Sequence, residues 1–297
     1  MAEGVKEGQI GNLTHKTTVV RDNLDLDRFE AAFEGKNLVT FDAEGVNLSR
    51  IGEATVLSIG VQNEDHVQVF IFDILEKDDA DFYAREISII KKLLEDPSVT
   101  KIIHDCRKDS DALNTFHKIR LAGVFDTSIY NMEIRVTRDN LNNTLSYYGC
   151  EINEIRNKPK DFYELYPTYW ADRPLTEEHI EWASGDVASL FKLRERLLEA
   201  VPPGKLEVIQ QASEDAVSDI RSMDYHTVVK VAKSSMGKVI GKMGCNLQSI
   251  KEQSGASVSN FVGGFLVIAN SEASMNEAKD LIEKKANQSY HRHPNYR

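Results

Sequence analysis

The segment Asn37–Gly45, Asn-Leu-Val-Thr-Phe-Asp-Ala-Glu-Gly, constrains this chain more than any other. Its centre is apolar and β-branched, the composition of a buried strand. It then ends in Asp42 and Glu44. Side chains alternate across a strand, so residues two apart share a face. Two carboxylates side by side at the end of an apolar strand repel each other and favour a shared cation. Hard oxygen ligands suit Mg²⁺ or Mn²⁺. An Asp-x-Glu pair also fits an ordinary solvated strand end, so the rest of the chain has to decide.

Ala54–Gln62 and His66–Ile74 have strand-like content, and a short Asn-Glu-Asp connection joins them as in a hairpin. A three-strand meander is therefore expected. Phe82–Glu95 repeats apolar residues at helical spacing and stops before Pro97. Thr100–His104 and Gly123–Thr127 are short strands, with Ser110–Ile119 helical between them. From there to Val201 the pattern is helical, and Pro202-Pro203-Gly204 ends it sharply. Within that stretch, Lys158–Pro174 is rich in proline and aromatics. Phe162–Trp170 is expected to pack in the core, with stacking on bases as the alternative. Antiparallel strands followed by alternating helix and strand give an α/β fold, a mixed sheet flanked by helices.

The pair is not alone. Asp109 follows the strand Thr-Lys-Ile-Ile-His at the start of a helix, and Asp186 sits in a long helix beside Val187, Leu190 and Leu193. Alone, Asp109 reads as a helix N-terminal charge and Asp186 as an exposed helix position. Together the four follow a set order: two on a strand, one at a strand–helix turn, one late in a helix. The motifs Val-Thr-Phe-Asp-Ala-Glu-Gly, Ile-Ile-His-Asp-Cys-Arg-Lys-Asp-Ser-Asp-Ala-Leu and Glu-Trp-Ala-Ser-Gly-Asp-Val-Ala-Ser-Leu, with the lead-in Trp170–Thr176, resemble the DEDD-type 3′→5′ exonucleases of the ribonuclease D branch. The resemblance runs from about Leu38 to Val201 and includes Gly-Val-Phe-Asp-Thr-Ser-Ile, in which Asp126 is expected to be structural. It implies a ribonuclease-H-like fold and two-metal phosphodiester hydrolysis. Asp42 would bridge both ions, Glu44 and Asp186 would hold the nucleophile-side ion, and Asp109 would support the other.

One position departs from that pattern. The family carries Tyr four residues before the last Asp, or His five before it. Here those slots hold Trp182 and Glu181. An indole donates one hydrogen bond and accepts no proton. Glu181 is the candidate replacement base if it faces the site, with an exposed helix acid as the alternative; His179 is more remote.

The formal charge of −11 conceals an asymmetry. Met1–Asp224 carries 26 basic and 42 acidic residues, net −16, and Tyr225–Arg297 carries 10 and 5, net +5. A basic small domain suggests phosphate. Its expected order is β-α-α-β-β-α: His226–Ala232, Met236–Ile240, Asn246–Ser254, Ala256–Val262, Gly264–Ala269 and Ser274–Lys285. Val239-Ile240-Gly241-Lys242-Met243-Gly244 joins its first two helices. The unit resembles the eukaryotic-type KH domain, a small α+β module whose Gly-x-x-Gly loop clamps about four nucleotides. That resemblance makes all six loop residues RNA-binding candidates. The tandem resembles the exonuclease/K-homology architecture of plant-type proteins.

The expected divisions are a disordered 1–15, an exonuclease domain 16–201, a linker helix 202–224, a KH domain 225–287 and a tail 288–297. Three scattered cysteines, Cys106, Cys150 and Cys245, argue against disulfides or a zinc site. No secretory signal is expected, and a cytoplasmic or nuclear location is. No run is long and apolar enough for a membrane helix. The expected function is removal of nucleotides from single-stranded RNA with two Mg²⁺ or Mn²⁺ ions. An RNA-binding adaptor with an idle nuclease fold, or a DNA exonuclease, are the alternatives. The sequence leaves oligomeric state open.

Overall fold

The computed structural model describes residues 5–11, 13–75 and 78–288. The chain divides into two compact units, Met1–Ser218 and Asp219–Arg297.

The first unit begins with β1 (Val5–Ile10) and β2 (Leu13–Val20), then α1 (Asn23–Phe33), whose cap Asp22 accepts from the Asp25 N–H. The meander follows as β3 (Leu38–Ser49), β4 (Gly52–Gln62) and β5 (Val67–Asp73). Next come α2 (Ala80–Glu95), β6 (Thr100–Ile103), α3 (Arg107–Ala112) with a wide turn Leu113–His117, and β7 (Val124–Asp126). Helices α4 (Thr127–Arg135), α5 (Leu141–Tyr147), α6 (Phe162–Leu165), α7 (Glu177–Ala200) and α8 (Leu206–Ser222) complete it. One mixed sheet runs β1-β2-β5-β4-β3-β6-β7. The β3–β4–β5 meander is antiparallel, while β6 pairs parallel with β3 and β7 parallel with β6.

Both faces of this sheet are covered, which is why its central strands are apolar almost throughout. Phe41, Leu57, Ile59, Phe70 and Phe72 pack on one side with Phe29 of α1 and Leu93 of α2. Val56, Val69 and Ile71 pack on the other with Val187 and Leu190 of α7. Val39, Phe41 and Ala43 take the first side. Alternation therefore turns Asp42 and Glu44 toward the face that α7 covers.

Two expectations need correction. The first fifteen residues are not a disordered lead-in where described: β1 pairs antiparallel with β2, and β2 pairs parallel with β5. Leu13–Val20 is largely β-branched, and its pairing with buried β5 supplies the order; residues 1–4 and 12 lie outside the described residues. The helix after Pro203 is also more than a linker. Up to Ser218 it belongs to the first unit. Ile209 and Val217 are buried, Gln210 Nε2 donates to Val124 O (2.9 Å), and Glu214 Oε1 accepts from the Val124 N–H (2.7 Å). The expected tail falls, from residue 289 on, outside the described residues.

The second unit holds β8 (Tyr225–Lys230), α9 (Lys233–Ile240), α10 (Cys245–Ser254), β9 (Ser257–Phe261), β10 (Gly264–Ala269) and α11 (Glu272–Asn287). Its antiparallel sheet runs β8-β10-β9 around a core of Val239, Ile250, Phe265, Val267 and Ile282. Among the described residues no helix is long and apolar enough to cross a membrane.

A fragment ending at the expected boundary, residue 201, would bare the apolar surface that Ile209 and Val217 cover and lose the two hydrogen bonds to Val124, roughly 0.5–1.5 kcal/mol each. Residues 1–222 are expected to express as a soluble, cooperatively melting domain and residues 1–201 to aggregate. Equal solubility and melting would refute this role for α8.

Candidate functional site

The acids on β3 and α7 meet where those elements cross. One carboxylate oxygen from each of Asp42, Glu44 and Asp186 lies within 4.8 Å of the others. Asp186 is buried and the other two are half-buried. Asp109, on the first turn of α3, is also buried; it stands outside that group of three, but its charge acts on Glu44 and Asp42 acts on it.

Crowding and burial dominate the electrostatics. Burial, then the Asp186 charge, pushes the Asp42 carboxyl up to about 7, with Arg156 opposing. Glu44 and Asp109 are raised well above the usual carboxylate range, first by burial and then by Asp42. Asp186 is raised by burial, against Arg156, Asn153 and Trp182. Protons or cations must relieve such a cluster. Every ligand in it is a hard carboxylate oxygen, which fits Mg²⁺ or Mn²⁺.

Asp186 is held by three donors. Arg156 Nη1 lies 2.6 Å from Oδ2, Trp182 Nε1 donates to Oδ2 (3.1 Å), and Asn153 Nδ2 donates to Oδ1 (2.9 Å). Trp182, one turn earlier on α7, is buried among Phe162, Tyr169 and Trp170, ring centres 5.4–6.1 Å away. Its slot thus presents a single N–H to Asp186 and no proton acceptor. Gly185 lets Asn153 approach: a Cβ there would lie 2.6 Å from Asn153 Nδ2.

Of the two readings of Glu181, the geometry favours the exposed helix acid. Glu181 is exposed and lines a separate cavity of about 380 Å³ with Lys6, Gly8, His15 and Ser184. His179 closes the N-terminus of α7: its Nδ1 accepts from the Thr176 N–H (3.1 Å) and its other nitrogen meets Tyr169 O (2.9 Å). The aromatic passage divides, with Tyr169 and Trp170 in the core and Tyr163 and Tyr166 exposed. Asp126 is structural, accepting the amides of Asp105, Cys106 and Ser128. Sequence reasoning missed Arg156 and Asn153. Asn-Glu-Ile-Arg lies in a stretch expected to be helical, and nothing local marks its approach to α7.

In the second unit, Gly241 (φ 75°) and Gly244 (φ 79°) take left-handed backbone at the end of α9 and the start of α10, a conformation that favours glycine. Asn246 Nδ2 pins the loop to Lys238 O (2.8 Å), so a Cβ at Gly241 would collide with Asn246, whereas one at Gly244 meets nothing. Lys242 is exposed and Ile240 half-buried. Val239 is in the core rather than on the loop surface.

The raised carboxyls fix the sign of a pH effect. Between the usual Asp value of 3.8 and about 7 the folded chain keeps protons that the unfolded chain has lost. Metal-free stability should therefore fall as pH rises through that window, and be fully present below it as far as this cluster is concerned. Mg²⁺ is expected to raise the melting temperature more at about pH 8 than at about pH 5.5. Asp42→Asn should raise the metal-free melting temperature and shrink the Mg²⁺ increment. An equal increment at both pH values would show that the cluster is not the cation site.

A family model described as 3′-5′ exonuclease matches residues 17–202, and a KH domain model matches residues 226–284. The piRNA biogenesis protein EXD1 of Bombyx mori is 32% identical over 180 residues, covering 58% of this chain and 54% of that protein. The human EXD1 is 27% identical over 176 residues, covering 55% of this chain and 33% of its own length. The chain thus spans about half of the silkworm relative or less of the others. Trypanosoma brucei RNase D shares the fold at a TM-score of 0.56 and 20% identity, over 68% of this chain and 71% of that one. The catalytic core of RRP6 from the same organism matches at 0.56 and 18% identity, over 84% and 64%. The chain belongs to the 3′-5′ exonuclease family, with a KH domain fused C-terminal to its DEDD-type nuclease fold.

Proposed function

We propose that this protein removes nucleotides from the 3′ end of single-stranded RNA, using two Mg²⁺ or Mn²⁺ ions, while the KH domain holds the strand. The observation that carries the proposal is the convergence of Asp42, Glu44 and Asp186, with Asp109 buried and charge-coupled to them. Asp42 would bridge the ions, Glu44 and Asp186 would hold the one on the nucleophile side, and Asp109 would support the other. Bound there, divalent ions would supply Lewis-acid stabilisation of the phosphate and an acidified water. The carboxylates fix where that charge sits, and Trp182 and Asn153 hold Asp186 in register. RNA is favoured over DNA by the KH domain and by the likeness to relatives named for piRNA biogenesis. Tethering raises the local concentration of strand at the acid cluster.

A second reading has its own support. Trp182 offers no base, and Arg156 already neutralises Asp186. An RNA-binding adaptor with an idle nuclease fold accounts for both features.

The deciding experiment incubates 5′-labelled single-stranded RNA with the full chain and Mg²⁺ or Mn²⁺. Stepwise shortening is expected, slow by comparison with a site that has a positioned acid–base group, typically worth ~10²–10⁴-fold. Asp42→Ala should abolish it, and Trp182→Tyr should raise the rate. No nucleotide release with either metal, and none after Trp182→Tyr, establishes the adaptor.

RNA binding is tested separately. Gly244→Asp meets open space, takes a left-handed position that Asp tolerates better than most residues, and brings a carboxylate to the loop; it is expected to weaken RNA binding, with circular dichroism and melting checking that the domain stays folded. Wild-type binding should weaken as salt rises, as counterion release requires. Unchanged affinity in Gly244→Asp would exclude this loop as the strand clamp.

A further inference from the structure

We propose that Arg156 is a resident counter-ion in the acid cluster, standing in for the nucleophile-side cation, so that the site accepts one divalent ion readily and a second only when Arg156 withdraws. The proposal rests on the exonuclease reading of the cluster and concerns how that cluster is charged.

The geometry is specific. A carboxylate offers about four lone-pair directions. Asp186 commits three, to Arg156 Nη1 (2.6 Å), Trp182 Nε1 (3.1 Å) and Asn153 Nδ2 (2.9 Å). The indole and amide are neutral. Arg156 alone brings positive charge; it touches Asp186, and its charge also acts on Glu44 and Asp42. A guanidinium therefore answers the same carboxylates that a cation on that side would need.

The backbone beneath Arg156 is fixed while its side chain is not enclosed. The short turn Glu154–Arg156 is tied to α5 through Asn142, whose Nδ2 donates to Asn153 O (2.9 Å) and Asn157 Oδ1 (3.0 Å). The Arg156 side chain nevertheless keeps 31% of its surface exposed, against 1% for Asp186. It can exchange Asp186 for an anion arriving from solvent without moving the turn. Guanidinium matches phosphate oxygens in two-pronged geometry, so an RNA backbone offers it an alternative partner. On this account an arriving phosphate draws Arg156 off Asp186, and the carboxylate becomes free as substrate arrives.

The test counts bound ions and needs no hydrolysis. Full-length wild type and Arg156→Gln are titrated with Mn²⁺, and free Mn²⁺ is followed by electron paramagnetic resonance. Wild type is expected to bind one Mn²⁺ at least about tenfold more tightly than a second, and Arg156→Gln to bind two with the second tightened by a similar factor, about the weight of one like or opposite charge at close range. Arg156→Lys keeps the charge and should follow wild type. Metal-free Arg156→Gln should melt below wild type and recover as Mn²⁺ is added; a merely structural arginine would lower melting without changing the ion count. Two equally tight ions in wild type would overturn the proposal even if Arg156→Gln did not fold, and so would an unchanged second site in a folded Arg156→Gln. Failure of the exonuclease reading is distinct, because it shows as absence of Asp42-dependent RNA shortening whatever the Mn²⁺ count.

Discussion

Mutual repulsion among the half-buried Asp42 and Glu44 and the buried Asp109 and Asp186, where the sheet meets α7, is the constraint on which the rest of this protein depends. Apolar strands and helices gain by closing over that space, and closing it strips water from the carboxylates. Their charges must then be cancelled by protons, by bound cations or by a side-chain cation. The raised Asp42 carboxyl is the proton answer. Arg156 is the side-chain answer. Divalent ions are the answer that would turn an electrostatic cost into a site for phosphate chemistry.

The surrounding structure supports that cluster. A sheet covered on both faces gives β3 a rigid course, and alternation along it places Phe41 and Ala43 in one core with Asp42 and Glu44 opposite. The long α7 carries Asp186 and Trp182 one turn apart, and the aromatic packing of Phe162, Tyr169 and Trp170 keeps the indole N–H aimed at the carboxylate. The KH unit solves a different problem. Its glycines at left-handed positions leave main chain accessible next to a helix N-terminus, in a basic domain attached to an acidic one.

Much of this was legible in the sequence because it rests on local pattern. The meander, the β6 and β7 strands, the acid pair on one face of β3 and the β-α-α-β-β-α order of the second unit each follow from periodicity, turn residues or a motif, although β3 runs on past the acids to Ser49 where its end was expected at Gly45. What was not legible depends on distant contacts. β2 gains its order from pairing with β5 and β1 from pairing with β2, and α8 is bound by polar contacts to β7, whose residues are some ninety positions earlier. Arg156 and Glu181 show the same limit in opposite directions. The arginine lay unmarked in a stretch expected to be helical and joins the cluster, whereas the glutamate stood beside the motif but lines another cavity, because a helix turns residues five apart to different faces.

The central claim is that divalent cations neutralise this cluster through Asp42. Anomalous diffraction at the manganese edge from crystals soaked in Mn²⁺ tests it most directly. The account predicts an anomalous peak within coordination distance of an Asp42 carboxylate oxygen, and its loss in Asp42→Ala. Saturating Mn²⁺ with no peak at Asp42, and the four carboxylates unchanged, would contradict it.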